Sequence, residues 1–172
     1  MIKISTLIII VGVLIQSLVG QTGQPINSTI NPSFQTSTID SRYAKITAIH
    51  IYEHYTLVSI KFISWIDDQD IFISSESTIE DYYNSNDVFP IIKFANNEFD
   101  IRYKLNPKGQ ANYFDLIFDR VPPGIEIIDI VCPLPIANQK YYWGGVSIKN
   151  PNNHPKTSWR EQSLKDDWEK NG

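Results

Sequence analysis

Ile46-Thr47-Ala48-Ile49-His50-Ile51-Tyr52-Glu53-His54-Tyr55-Thr56-Leu57-Val58-Ser59-Ile60-Lys61-Phe62-Ile63 has two readings with opposite consequences. His50-Ile51-Tyr52-Glu53-His54 matches the inverted zinc-protease pattern H-x-x-E-H. That chemistry needs a helix, where side chains four residues apart lie roughly 5–6 Å from each other and can grip one zinc. In an extended strand the same spacing opens to roughly 13 Å, far beyond two nitrogens each about 2 Å from a shared ion. The flanks decide between the two. Residues 46–51 are β-branched and strand-forming, and from Thr56 onward Val58, Ile60 and Phe62 share one face while Leu57, Ser59, Lys61 and Ile63 share the other. Period-2 alternation on both sides of Tyr52-Glu53-His54-Tyr55 predicts a β-hairpin, with His50 on a strand and His54 in the turn. His154, the third histidine, lies in a Pro/Asn-rich stretch and makes no recognisable third-ligand spacing. The sequence predicts no metal site.

The strand texture continues downstream. Short strands are predicted at Ile71–Ile73, at Val88–Phe94 with Pro90 near its start or on a sheet edge, and at Asp100–Leu105, where polar and apolar residues alternate. Asn106-Pro107-Lys108-Gly109 is a turn, proline setting φ and glycine taking the left-handed position. Tyr113–Phe118 places Phe114, Leu116 and Phe118 inward, and Pro122-Pro123-Gly124 breaks the chain before Ile125–Val131 and Tyr141–Lys149. About eight strands with no helical period between them predict an all-β fold, an antiparallel immunoglobulin-like β-sandwich over residues 43–149.

The flanks read differently. Lys3 is the only charge before Asp40, and it precedes the apolar run Leu7–Ile15 and the small or polar residues Ser17 and Gly20. This is the layout of a secretory signal over residues 1–20, with Gln21 as the first residue after cleavage. The apolar run is shorter than the roughly 20 residues of a spanning helix, so no stable membrane span is expected once the signal is removed; a retained anchor is the alternative. Residues 21–42 are almost entirely Gln, Thr, Ser, Asn, Pro and Gly and read as a flexible polar leader. Within it Asn27-Ser28-Thr29 matches the glycosylation triplet. Residues 150–157 form a breaker-rich linker, and Ser158-Trp159-Arg160-Glu161 has the form of a capping box opening a short C-terminal helix. Trp159, Leu164 and Trp168 fall on one broad side of that helix and are candidate partner-binding residues.

Composition excludes several roles. With 15 Lys+Arg against 19 Asp+Glu the formal charge is −4, and loss of Lys3 with the signal makes it −5, which gives no electrostatic reason to bind nucleic acid. Cys132 is the only cysteine, so the domain has no intramolecular disulfide and reads Cys132 as a small buried hydrophobe. Asp67-Asp68-Gln69-Asp70 lacks the glycine and distal glutamate of a calcium loop and reads as a solvated turn. Glu76, Glu80 and Asp81 fall in a polar stretch running to Asp87, and nothing in the sequence sets two carboxylates across a cleft. No nucleophile elbow, phosphate-binding glycine loop or paired-cysteine motif is present, and no cofactor is expected. Aromatics are the one enrichment with a functional flavour. Tyr82-Tyr83 lies in a loop and Tyr141-Tyr142-Trp143 opens the last strand, with Tyr142 facing opposite to Tyr141 and Trp143. These five are candidate ligand-binding residues, since outward aromatics suit sugar rings or a protein partner.

Phe114-Asp115-Leu116-Ile117-Phe118, Val121-Pro122-Pro123-Gly124 and Ile127-Ile128-Asp129-Ile130 resemble a β-sandwich domain of secreted Bacteroidetes proteins, found alone or ahead of a thioredoxin-like domain. The likeness extends to Ile46–Ile49, Thr56–Val58, Trp65-Ile66 and Trp143–Ile148, and so spans about 43–149. It implies a sandwich and no particular activity. A Cys-x-x-Cys is absent, so redox catalysis does not follow from it, and Cys132-Pro133 stand where the resemblance leads one to expect an acidic residue. The sequence thus favours an exported protein, periplasmic, on the cell surface or extracellular. Its expected role is a non-enzymatic protein-interaction or accessory module of the cell envelope, with an unknown protein or glycan partner. A carbohydrate- or small-ligand-binding sandwich is the second reading and a hydrolase with an unrecognised site the third.

Overall fold

The computed structural model describes residues 23–151 apart from positions 96 and 137. Eleven strands form: β1 (Asn27–Ile30), β2 (Thr36–Ser37), β3 (Ala44–Ile51), β4 (Tyr55–Ile63), β5 (Gln69–Phe72), β6 (Thr78–Asp81), β7 (Asn84–Phe94), β8 (Arg102–Leu105), β9 (Ala111–Asp119), β10 (Ile127–Pro133) and β11 (Lys140–Ser147). All pairings are antiparallel, and no helix occurs among the described residues. Nine strands join in the order β1-β3-β4-β9-β7-β6-β10-β11-β2, while β5 and β8 pair separately. The fold is therefore all-β and antiparallel, as the alternation predicts.

The hairpin that opens the reading is β3 and β4, paired from Ala44 opposite Phe62 to Ile51 opposite Thr56 with one register shift between Ile46 and Ala48. Its turn is closed by Tyr52 N donating to Tyr55 O at 2.9 Å. Alternation in β4 sends Thr56, Val58, Ile60 and Phe62 inward, and β9 does the same with Phe114, Leu116 and Phe118. The long strand β7 changes neighbours along its length. Its first part, to Pro90, pairs with β6, and Ile91–Phe94 pairs with β9. The nine-stranded sheet curls, so that Phe62 of β4 reaches Tyr141 of β11, with ring centroids 5.6 Å apart. Buried side chains of both halves make one cluster around Trp143, Phe62, Phe94 and Phe118.

Two expectations are corrected. Residues 21–42 are not a flexible leader throughout: β1 pairs with β3 along all four of its residues, and β2 pairs with β11. The segment gains order from backbone bonds, such as Gln35 N to Gly144 O at 2.9 Å and Ser147 N to Ser33 O at 2.9 Å, and from Phe34 and Ile39 packed on the core. The strand count rises from about eight to eleven, because β1, β2 and β6 are polar enough to escape an alternation test. Glu80 and Asp81 accordingly lie in β6, not in a loop. The signal segment and the C-terminal helix with Trp159, Leu164 and Trp168 lie outside the described residues. Among the described residues no helix is long and apolar enough to cross a membrane.

Candidate functional site

Three loops converge beside Tyr141: residues 38–43 between β2 and β3, 64–68 between β4 and β5, and 134–139 between β10 and β11. Each is tied to the sheet by its own bonds. Asp40 turns the first loop, its carboxylate accepting from Arg42 N at 2.9 Å and its carbonyl from Tyr43 N at 2.8 Å. Tyr43 O then accepts from Ile63 N at 2.7 Å, which sets Tyr43 beside the end of β4. The second loop is held by Trp65 N donating to Gln69 Oε1 at 3.0 Å. The third closes through Leu134 N to Gln139 O at 2.9 Å. Thr38 Oγ1 donates to Lys140 O at 2.9 Å and joins the first loop to the third.

Between these loops runs a groove of about 600 Å³. Its walls are aromatic. Tyr43 and Trp65 pack with ring centroids 5.1 Å apart at 56°, and Tyr141 adds a third ring, its phenol raised above the ordinary value by burial. Trp65 is 40% exposed, so it presents ring surface to solvent. The polar lining comes from Thr38, Asp40, Asn138, Gln139 and Lys140. Asp40 is gripped by Arg42, Nη2 to Oδ2 at 2.6 Å and Nε to both oxygens at 2.9 and 3.1 Å. Those hydrogen bonds, more than the bare charge, hold its carboxyl down at about 2. The groove thus combines apolar faces with amide and carboxylate groups, the mixture that fixes a polyhydroxylated ring by stacking and hydrogen bonding.

The five aromatics singled out from sequence do not form one site. Tyr141 lines the groove. Tyr142 points to the opposite face, where its hydroxyl donates to Asp129 Oδ2 at 2.8 Å and Lys140 Nζ lies 4.7 Å from its ring centroid. Trp143 is fully buried and has no face to offer a ligand; it sits on the inner side of β11, as the alternation with Tyr142 requires. Tyr82 and Tyr83 occupy the turn between β6 and β7, edge-to-face at 5.2 Å, with Tyr83 78% exposed and Tyr82 donating to Gln35 Oε1 at 3.2 Å. Tyr43 and Trp65 were missed as ligand candidates, although Trp65 carries the same cue as Tyr82: an aromatic in a polar loop just past a strand.

The H-x-x-E-H residues divide as a hairpin demands. His50 on β3 meets Ser28 Oγ through Nδ1 at 2.8 Å, and His54 is exposed in the turn. Among the described residues no group of three or more His, Cys, Asp or Glu is placed to hold a metal ion. Asp129 faces Glu80 across β10 and β6, but both its oxygens are engaged, one by Tyr142 Oη and the other by Gly145 N at 2.8 Å. It therefore serves as a structural anchor. No protein-family model matches the chain, and no curated protein or solved structure matches it.

Proposed function

We propose that this chain is an exported, non-enzymatic binding module, an immunoglobulin-like β-sandwich that holds a glycan in the groove walled by Tyr43, Trp65 and Tyr141. The groove carries the reading: a half-exposed Trp65 ring beside Tyr43, with Asn138 and Gln139 in the lining. A pyranose lays its C–H face on such rings and turns its hydroxyls toward Asn138 and Gln139. The sandwich arrangement is supported by the change of partners along β7 and by the contact of Phe62 with Tyr141 between strands far apart in the sheet order. Export is supported by Lys3 followed by the apolar run Leu7–Ile15, and by the resemblance of 43–149 to domains of secreted proteins. On this reading exported material begins near Gln21, which N-terminal sequencing checks.

A protein-interaction role in the cell envelope is the second reading. It is favoured by Tyr83 at 78% exposed and by Val88 and Ile92, exposed on β7. The two readings separate in one experiment: titration of a panel of oligosaccharides against the exported chain and its Trp65→Ala and Tyr83→Ala variants. The groove reading expects binding that Trp65→Ala weakens about tenfold or more, equivalent to about 1.4 kcal/mol, and that Tyr83→Ala leaves unchanged. Absence of saccharide binding, or binding indifferent to Trp65, refutes it.

A further inference from the structure

Most of the polar groups lining the groove are already spent. The two oxygens of Asp40 take four contacts from Arg42, one from its backbone N at 2.9 Å and three from its guanidinium, as many as a carboxylate has lone-pair positions. Thr38 Oγ1 donates to Lys140 O at 2.9 Å and accepts from Tyr142 N at 3.0 Å. The Lys140 ammonium lies over the Tyr142 ring, on the face of β11 opposite the groove. Asn138 and Gln139 differ. Their loop is held by backbone bonds, Gln139 N to Ile136 O at 3.1 Å and Leu134 N to Gln139 O at 2.9 Å, and both residues are exposed. Among the described residues neither carboxamide has a hydrogen-bond partner. The lining also holds Ile39 and Leu134, half-buried aliphatic residues beside the three rings. What the groove offers beyond its ring walls is thus uncharged: carboxamides and an aliphatic surface.

Resting on the glycan reading above, we propose that the groove selects saccharides carrying N-acetylated amino groups, and that Asn138 and Gln139 are the specificity-determining residues. A plain hexose presents only hydroxyls at its ring edge and leaves the aliphatic surface unused. An acetamido group presents an N–H, a carbonyl and a methyl. The first two match a carboxamide, which both donates and accepts. The methyl buries against Ile39 and Leu134. Because Asn138 and Gln139 are exposed, water competes for their hydrogen bonds, and the preference is about three- to tenfold.

The test uses the exported full chain and calorimetric titration with tetramers of N-acetylglucosamine, glucose and glucosamine. These share one linkage and differ only in the group on the second ring carbon, and acetylated tetra-alanine amide serves as an amide-bearing non-sugar. The expected result is tighter binding of the acetylated tetramer than of the other two. The double variant Asn138→Gly, Gln139→Met abolishes the difference without weakening the glucose tetramer. Asn138 sits at φ 61°, which glycine adopts freely, and methionine keeps the length of glutamine, so the loop is preserved. Equal affinity for the acetylated and glucose tetramers, or a preference that survives the double variant, overturns this inference and leaves the glycan reading standing. A loss of equal size for both tetramers does the same. Glucosamine bound as tightly as its acetylated form places the preference in charge, and the peptide bound as tightly shows that the groove reads amides and not a sugar; either result also overturns it. No binding of any tetramer overturns both.

Discussion

Replacing Gly144 by alanine should destabilise the fold through one side chain, Tyr142, and the damage should vanish when that side chain is removed. Between the pairs Ile128–Val146 and Ile130–Trp143 the register of β10 and β11 slips, leaving Asp129 opposite both Gly144 and Gly145. This is a β-bulge, with Gly145 in the left-handed region at φ 65°. Tyr142 folds back over Gly144 to reach Asp129, so a Cβ on Gly144 would meet the ring at Cε1 and Cζ, each 2.7 Å away. Rings do not yield that distance; Tyr142 must leave. It then gives up a hydrogen bond to a carboxylate, about 1.5 kcal/mol at the low end suited to a half-exposed group, and its contact with Lys140, about 0.5 kcal/mol. The expected loss is about 2 kcal/mol. In a Tyr142→Ala background the space is already open. Gly144→Ala then acts only on the unfolded chain and is neutral or stabilising by about 0.4–1 kcal/mol. Urea unfolding of the four proteins of this cycle measures the coupling. Equal destabilisation by Gly144→Ala in both backgrounds would place the cost in the backbone and refute the reasoning. Gly145→Ala is the contrast: its Cβ would meet Gln35 Cγ and Cδ at 2.7 Å, and its left-handed backbone costs about 1–2 kcal/mol whatever Gln35 does.

Burial, reinforced by the bond to Asp129, pushes the Tyr142 phenol up to about 12, against about 10 in an unfolded chain. A raised value means that its contribution to stability is intact below pH 10 and lost as pH climbs through 12. Melting temperatures across that window should fall more steeply for the wild type than for Tyr142→Phe, Tyr52 and Tyr141 supplying a residual slope in both; identical slopes would contradict the assignment. Cys132 is fully buried and its thiol is pushed up to about 11, so an aromatic disulfide reagent at pH 8 should leave it untouched in the native protein and react once per chain in denaturant. Thr56, also fully buried, accepts from Val121 N at 3.0 Å through Oγ1. Thr56→Val strands that donor and should cost about 1–3 kcal/mol in urea unfolding, whereas Thr56→Ser keeps the acceptor; a smaller loss for valine than for serine would remove the bond from the account.

The strands legible in the sequence are those that alternate strongly on their own. β4 buries every second residue over nine positions and β9 does so from Phe114 to Phe118, and no neighbour is needed to see it. β6 buries only Ile79, and its charged residues are legible as strand only once Val88–Pro90 and Ile128–Val131 flank them. β1 and β2 are harder still, since their partners lie in β3 and, for β2, about a hundred residues further along the chain. The same distance hides the groove, whose walls come from Tyr43, Trp65 and Tyr141. Of these only Tyr141 stood out, because it belongs to a run of aromatics.

These two failures share a cause. The groove's first wall begins with Thr38, Ile39 and Asp40, in the end of the polar stretch that composition dismisses as a leader. It is a wall because Gln35 N reaches Gly144 O and Thr38 N reaches Tyr142 O, at 2.9 and 3.0 Å. Gly144 belongs to the bulge that Asp129 and the two glycines build, and Tyr142 lies two residues before it. The leader is thus ordered by pairing with β3 and with the edge of β11, and the groove is shaped by the ordered leader. A polar segment with no core of its own becomes a wall of the groove by attaching to the edge of β11, beside one of the places where the sheet's ladder is interrupted. Perturbing Gly144 should therefore alter the groove as well as the stability, although it touches no groove residue.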